Sequence, residues 1–410
     1  MPAENTLALF GGEPVRPSPF PARAPFDEQC VELATAAIRS QNLNSSTGPL
    51  TARFAEEFAR YYGARYAVAV SSGTASVHTA LAALGPPPGS EVITAPITDA
   101  GSVIPILASG CVPMFADIDD GYGLDPASIE SLIGPRTAAI IVVHLFGGAS
   151  DMAGICAVAD RHGVAVIEDV SQAHATRLEG QWLGRFGRLG AFSLQQSKHL
   201  TTGDGGMVIT DDEQLAQRMT MFRDKGWNRG AVGARAYPIL GMNYRMTELQ
   251  AAVGLPQLPR IEQVVTTRRR LADRIDSQLA GLPAVRAFQP RNRADASYWT
   301  YPFEVEAPLR EQFVDALAAE GVPVQPGYIG EPIYSCMSAV RDNRGLGGPE
   351  GFPYAEPFHP PVDYGPGTCP RAEAALQRLV VFWLHEQMSE QDADDVGRAI
   401  RKVSQALAPR

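Results

Sequence analysis

Apolar runs of strand length, separated by helix-like segments, predict an α/β protein with a mostly parallel sheet. The runs YAVAV (66–70), EVITAP (91–96), VPMFADI (112–118), AAIIVVHLF (138–146) and VAVIEDV (164–170) are nearly continuous in apolar residues. Strands buried on both faces read this way, whereas a half-exposed strand alternates apolar and polar positions. Size is the third observation. A chain of 410 residues, 45% hydrophobic and 20% charged, can build one large domain and a smaller one.

The segments between the runs carry helical signals. SGTASVHTALAALG sets Val77, Leu81 and Leu84 at i, i+4 and i+7. DAGSVIPILASG, PASIESLI and DMAGICAVADRHG have similar length and pattern, and Pro105 should distort the first. After Gly203, GGMVITD reads as a further strand and EQLAQRMTMFRDKG as a helix. From Thr247 to about Leu279 the chain is helix-prone, with Pro256 and Pro259 expected to kink or break it. The large domain, with an N-terminal arm, is therefore set at 1–255 and a small α+β domain at 256–410. In the second, YWTYPFEVE (298–306) reads as a strand, REQFVDALAAEG as a helix and SEQDADDVGRAIRKVSQAL as a terminal amphipathic helix. Pro and Gly crowd 340–370, which reads as an irregular loop.

Composition removes several function classes. A net charge of -10 opposes binding to nucleic acid. No apolar run reaches the roughly 18 residues that span a membrane. MPAENTLALFGGEPVRP has no basic stretch followed by an apolar segment, so no secretory leader is expected and the cytoplasm is the expected compartment. The five cysteines form no CxxC pair and the seven histidines lack ligand spacing; free thiols and no metal site are expected. GxGxxG after a strand, GxxxxGK[ST], HExxH and GxSxG are all absent. Only three of the 35 basic residues are lysines: Lys198, Lys225 and Lys402. Chemistry that needs a primary amine has three candidates.

Three segments carry chemical signals. Ser71-Ser72-Gly73-Thr74-Ala75 joins a strand to a helix, where small residues let backbone N–H groups approach a phosphate. Ordinary N-capping explains the same serine and threonine equally well. Asp169, in IEDVSQ, stands at the C-terminal end of an apolar strand, where open α/β sheets place ligands; it could equally cap a turn. Lys198, in AFSLQQSKHLTTGDGG, follows an apolar strand and precedes a Gly-rich turn. Held in a cleft it can lose its proton and act as a nucleophile; alone, a solvated lysine is the commoner outcome. Lys402 lies on the terminal helix, and Lys225 at a helix C-terminus where the dipole favours a cation. Together, phosphate cradle, strand-end acid and lysine match the needs of pyridoxal phosphate.

The chain resembles the DegT/StrS family of pyridoxal-phosphate aminotransferases, which act on keto sugars and keto cyclitols. The likeness runs through LFGGEPVR, STGPLTARFAEEFARYYGARYAVAVSSGTA, the Asp169–Gln172 segment, AFSLQQSKHLTTGDGG, GMNYRMTELQAAVGLPQL and CPRAEAALQRLVVFWLH. It implies the aspartate-aminotransferase fold (fold type I), a large domain with a mostly parallel sheet and a small C-terminal α+β domain. It also implies site roles. Lys198 would hold the cofactor aldehyde and Asp169 the pyridine nitrogen, with Gln172 against the ring or its 3-oxygen. Gly73, Thr74 and Ser193 would bind the phosphate, and Asn243 would reach it from the second subunit of a homodimer with shared sites. Family members carry an aromatic residue after the threonine of the EVIxPxxT stretch, to stack on the ring; here Asp99 follows Thr98. The implied reaction is ping-pong transamination from glutamine or glutamate to a ketone, through pyridoxamine phosphate, in the making of amino-containing natural products. A pyridoxamine-dependent sugar dehydratase and a non-catalytic cofactor-binding regulator are the alternatives; relatives of the first kind replace the lysine with histidine. His144 and His385 lie near the implied cleft segments and are expected to be packed or solvated.

Overall fold

The computed structural model describes residues 6–345, 348–349 and 351–407. Residues 1–5, the start of the stretch read for a leader, and 346, 347 and 350 of the Pro/Gly-rich stretch lie outside the described residues, as do 408–410. Strands β1 (Tyr66–Val70), β2 (Glu91–Thr94), β3 (Val112–Phe115), β4 (Thr137–Val143) and β5 (Ala165–Asp169) arise from the five apolar runs. A hairpin of β6 (Arg177–Leu178) and β7 (Gln181–Trp182) follows, then β8 (Leu189–Ser193) and β9 (Gly206–Thr210). The large sheet has the order β1-β9-β8-β5-β4-β2-β3. All of its pairings are parallel except those of β9, which runs against both neighbours. Burial of every residue of β8 and β9 reflects helices on both faces of this sheet.

A second sheet, ordered β10-β11-β15-β12, is antiparallel throughout. It comprises β10 (Val285–Ala287), β11 (Tyr301–Val305), β12 (Gln325–Pro326) and β15 (Leu379–Phe382); β13 (Arg344–Gly345) and β14 (Gly348–Pro349) form a separate hairpin. Between the sheets lies the helix-prone stretch, broken where its prolines predict. A helix at Glu248–Gly254 passes into a 3-10 turn at Leu255–Arg260, which contains both prolines, and then into the helix Ile261–Leu279.

Two local expectations need correction. The strand read at 298–306 begins only at Tyr301. Tyr298 takes a left-handed backbone (φ 46°), and its neighbours bond sideways, Ser297 N–H to the Gly147 carbonyl and Trp299 N–H to that of Phe146. Lys225 is not at the helix end. That helix stops at Phe222 with Arg223 as cap, and Lys225 lies beyond in a left-handed turn, its N–H on the Met242 carbonyl. The described part of the Pro/Gly-rich stretch is largely irregular apart from the β13–β14 hairpin, and it packs on the large sheet. His359 and Tyr364 are buried; His359 Nε2 meets Glu91 at 3.1 Å, and the Tyr364 hydroxyl donates to the Pro113 carbonyl.

Beside Asp169 on β5, Glu168 is fully buried and organises the loop that leads to β8. Its Oε1 accepts the N–H groups of Phe186 and Gly187, both at 2.7 Å, and its Oε2 that of Gly184 at 2.8 Å. His144 Nδ1 accepts the Ser150 N–H, which puts the imidazole hydrogen on Nε2, 3.1 Å from Glu168 Oε2. His144 is thus a packed histidine. Replacing Glu168 with Gln sets an amide N–H₂ against at least one of these donors. Denaturant unfolding of Glu168→Gln should show a loss of about 2–4 kcal/mol; a loss below about 0.5 kcal/mol would remove Glu168 as the organiser of this loop.

Candidate active site

A cleft of about 470 Å³ opens where the C-terminal ends of β1, β5 and β8 approach the second sheet. Six of the seven residues singled out from the sequence line it: Gly73, Thr74, Asp169, Gln172, Ser193 and Lys198. Asn243 does not line the cleft of this chain; it is exposed on the segment after Lys225. Of the other two lysines, Lys402 is tied to Glu320 at 2.8 Å and to the Glu13 carbonyl. Neither of them lines the cleft.

The helix Gly73–Leu84 starts directly after β1 and the turn at Ser71 and Ser72. Ser72 Oγ accepts the Ala75 N–H, so this serine does cap the helix. The N–H groups of Gly73 and Thr74, in the first turn, have no intrahelical acceptor, and both residues line the cleft. A Cβ at position 73 would sit 2.5 Å from the Cβ of Ser193. Glycine is what lets the helix start lie against the end of β8, bringing the Ser193 hydroxyl beside those N–H groups.

Asp169 is 4% exposed at the end of β5. Its Oδ2 accepts the Ser102 hydroxyl at 2.7 Å and its Oδ1 the Ser171 N–H at 3.0 Å, while Thr98 Oγ1 lies 2.8 Å from Ser102 Oγ. Gln172 is held at both ends: Oε1 accepts the Phe146 N–H at 3.0 Å, and Nε2 donates to the Tyr328 hydroxyl at 2.9 Å. Phe146 (φ 57°) and Tyr328 (φ 56°) both have left-handed backbones, at a cost of about 1–3 kcal/mol each.

Lys198 is 8% exposed, with Nζ 3.7 Å from the centre of the Trp299 ring. Burial pulls its amine down to about 8; the charges of Asp169 and Asp99 pull upward and that of Arg268 downward. Asp99 lines the same cleft and caps a 3-10 turn, its Oδ1 accepting the Gly101 N–H. The aromatic residues lining the cleft are Trp299, Tyr328 and Trp383. None was singled out from the sequence, because each reaches the cleft from the second sheet or its connections and lies at least 100 positions from Lys198. His385 donates its Nε2–H to the Pro21 carbonyl at 3.0 Å and does not line the cleft. Among the described residues no cluster of His, Cys, Asp and Glu could hold a metal ion, and no helix is long and apolar enough to cross a membrane.

Comparisons with known proteins agree with this architecture. The model of the DegT/DnrJ/EryC1/StrS aminotransferase family matches residues 26–401. L-glutamine:2-deoxy-scyllo-inosose aminotransferase of Streptomyces kanamyceticus is 35% identical over 439 aligned residues, spanning 100% of this chain and 99% of the relative. The X-ray structure of an aminotransferase from Psychrobacter cryohalolentis superposes with a TM-score of 0.82 at 30% identity, over 95% of this chain and 99% of that one. Aminotransferase TlmJ from Streptoalloteichus hindustanus gives 0.81 at 27% identity, over 95% and 99%. The fold is the aspartate-aminotransferase type, fold type I. The chain belongs to the DegT/DnrJ/EryC1/StrS aminotransferase family, and it is an aminotransferase. Neither the dehydratase nor the regulator alternative has support in these matches.

The buried amine has a consequence for stability. In the cofactor-free chain the folded amine (about 8) lies below its ordinary value of 10.5, so the unfolded chain binds more protons between the two. Stability from this group rises as pH climbs from about 8 to 10.5, and below 8 the full penalty is present. Lys198→Met should therefore be more stable than the parent at pH 7, by about 1–3 kcal/mol, with a gain that shrinks towards pH 10. Urea unfolding of both proteins at the two pH values checks it; an unchanged difference would contradict the burial account.

Proposed function

We propose that the chain is a pyridoxal-phosphate-dependent aminotransferase that transfers the amino group of glutamine to a keto cyclitol. One observation carries the cofactor reading: a buried amine, a buried strand-end carboxylate and the first N–H groups of a helix line a single cleft. The donor set fits the group, with an amine for its aldehyde, a carboxylate for its pyridine nitrogen, and N–H and hydroxyl donors for its phosphate. When bound, the cofactor supplies an electron sink for bond breaking at the donor Cα. The donor and acceptor rest on likeness to the L-glutamine:2-deoxy-scyllo-inosose aminotransferase, which aligns with the whole chain.

Each residue then has a physical task. Gly73, Thr74 and Ser193 bind the phosphate with two N–H groups and one hydroxyl. Asp169 keeps the ring nitrogen protonated, and the Ser102 hydroxyl and Ser171 N–H aim its oxygens and offset their burial. Gln172, fixed by the Phe146 N–H and the Tyr328 hydroxyl, has a rigid amide that would lie against the ring or its 3-oxygen. Lys198 would hold the aldehyde, and its free amine is the base that would take the proton from the donor Cα. In the cofactor-free chain, with its amine near 8, roughly a tenth is free base at pH 7 and able to take up an aldehyde, against well under a thousandth for a solvated lysine.

Borohydride reduction followed by peptide mapping should place the cofactor on Lys198. Glutamine should then convert the loaded, unreduced protein to its amine form, with release of the matching 2-oxo acid. A label on Lys225 or Lys402 would overturn the site; alanine or aspartate reacting far faster than glutamine or glutamate would overturn only the donor.

The active unit in this reading is a homodimer in which Asn243 of one chain completes the phosphate site of the other. Support comes from the segment that carries Asn243, where Val232, Tyr237, Leu240 and Met242 are all exposed, a concentration of apolar surface suited to a partner. Mixing inactive Lys198→Ala and Asn243→Ala chains puts both lesions in one site of each heterodimer and neither in the other. Random pairing should restore roughly a quarter of the native rate. A fully active monomer would refute the shared site.

A further inference from the structure

Outside the cleft lining runs a chain of charges that bonds to the backbone of Trp299 and to the backbone on either side of Lys198. Arg268, on the helix Ile261–Leu279, is 1% exposed. Its Nε and Nη2 both grip Glu386 Oε2, at 2.8 and 2.7 Å, and its Nη1 donates to the carbonyls of Trp299 at 2.9 Å and Tyr298 at 3.4 Å. The other oxygen of Glu386 takes Arg23 Nε at 2.9 Å. Arg23 in turn donates to the carbonyls of Gln196 at 2.8 Å and His199 at 3.4 Å, on either side of Lys198. One ion triad thus holds the backbone that presents the Trp299 ring and the backbone that presents the lysine.

We infer that Arg268 is a positioning residue of the transamination site, setting the Trp299 ring against Lys198 through the Arg268–Glu386–Arg23 triad. The two segments belong to different parts of the fold, 196–199 following β8 of the large sheet and 298–299 preceding β11 of the second. Their direct links are the Trp299 Nε1–H bond to the Ser197 carbonyl and the contact of His199 Nε2 with the Ser297 carbonyl, both 3.0 Å. Tyr298 between them has a left-handed backbone that a non-glycine residue keeps only under constraint. A fully buried guanidinium costs several kcal/mol unless its donors are matched, and here a carboxylate and two carbonyls match them. A lysine would serve the carboxylate as a point charge but could not also span both carbonyls as a planar fork.

The triad also sets charge near the amine. Lys198 faces Asp169 from β5, Asp99 from the loop after β2, Arg268 from the long helix, and the buried His174, whose own value is pulled down to about 4 by burial. His199, beside the lysine, is likewise held well below its ordinary value by burial and by Arg268. Both histidines are therefore neutral at pH 7, which leaves Arg268 as the buried cation that opposes protonation of Lys198.

The inference rests on the role of Lys198 proposed above, so its test starts from the cofactor-free full chain, where acetic anhydride labelling of Lys198 is followed by mass spectrometry across pH. Arg268→Met should raise the labelling midpoint by about one pH unit, since a cation is lost and Glu386 is left less compensated. Glu386→Gln should move it the other way. Arg268→Lys keeps the charge and should hold the midpoint within about half a unit, yet lower kcat of the loaded enzyme about tenfold or more, with donor KM little changed. Midpoints identical in all four proteins, with only the melting temperature reduced, would make the triad a structural ion cluster and overturn the inference. Should Arg268→Met fail to fold, Glu386→Gln and Arg268→Lys decide by the same criteria. Failure of borohydride to label Lys198 would overturn the cofactor reading, whereas the labelling midpoints test Arg268 independently of it.

Discussion

The Lys198 amine lies 3.7 Å from the centre of the Trp299 ring and almost out of reach of water, and much of the molecule is arranged around that burial. In water a primary amine is protonated at neutral pH and chemically inert as a nucleophile. Removing water weakens the ammonium form, but a desolvated cation must also be kept from finding a carboxylate that would restore it. Asp169 is near enough to be felt, yet its oxygens are already engaged by Ser102 and Ser171. The aromatic face offers the ammonium modest attraction without a counter-charge. That balance leaves an amine able to exist in both protonation states near neutrality.

Such an arrangement needs both sheets. The large sheet delivers Asp169 from the end of β5 and Ser193 from the end of the adjacent parallel strand β8, where register pairs Asp169 with Ala191. The connection after β1 delivers the helix start at Gly73 to the same edge. The second sheet delivers Trp299 and, through the turn beside β12, Tyr328. Strain collects at the seam. Phe146, Tyr298 and Tyr328 are all left-handed without being glycine, and each carries a group that the cleft uses: an N–H on Gln172, the carbonyl beside Trp299, a hydroxyl on Gln172.

Each buried carboxylate of this region is matched by several donors. Glu168 gathers three backbone N–H groups and one histidine; Glu386 gathers two arginines. Hydrophobic collapse does not call for such clusters, since replacing buried ions with apolar groups is often neutral or stabilising. What they supply is fixed geometry for loops that have no regular secondary structure to hold them.

The linear sequence determined the five apolar strands, the break at Pro256 and Pro259, the small-residue turn into the helix at Gly73 and the singling out of Lys198 among three lysines. Those features are local, written in apolar runs, proline positions and motif spacing over a few residues. Tertiary structure alone decided that β9 runs antiparallel, that the strand before Val305 starts late, and that the Pro/Gly-rich stretch packs against β2 and β3. It also decided what surrounds the lysine. Ser102, Phe146, Trp299, Tyr328, Arg268, Glu386 and Arg23 meet the cleft or its supports from segments as far apart as 23 and 386, and no short-range pattern marks them. Desolvation and hydrogen-bond matching are properties of the assembled neighbourhood, so they emerge only once the two sheets have closed on one amine.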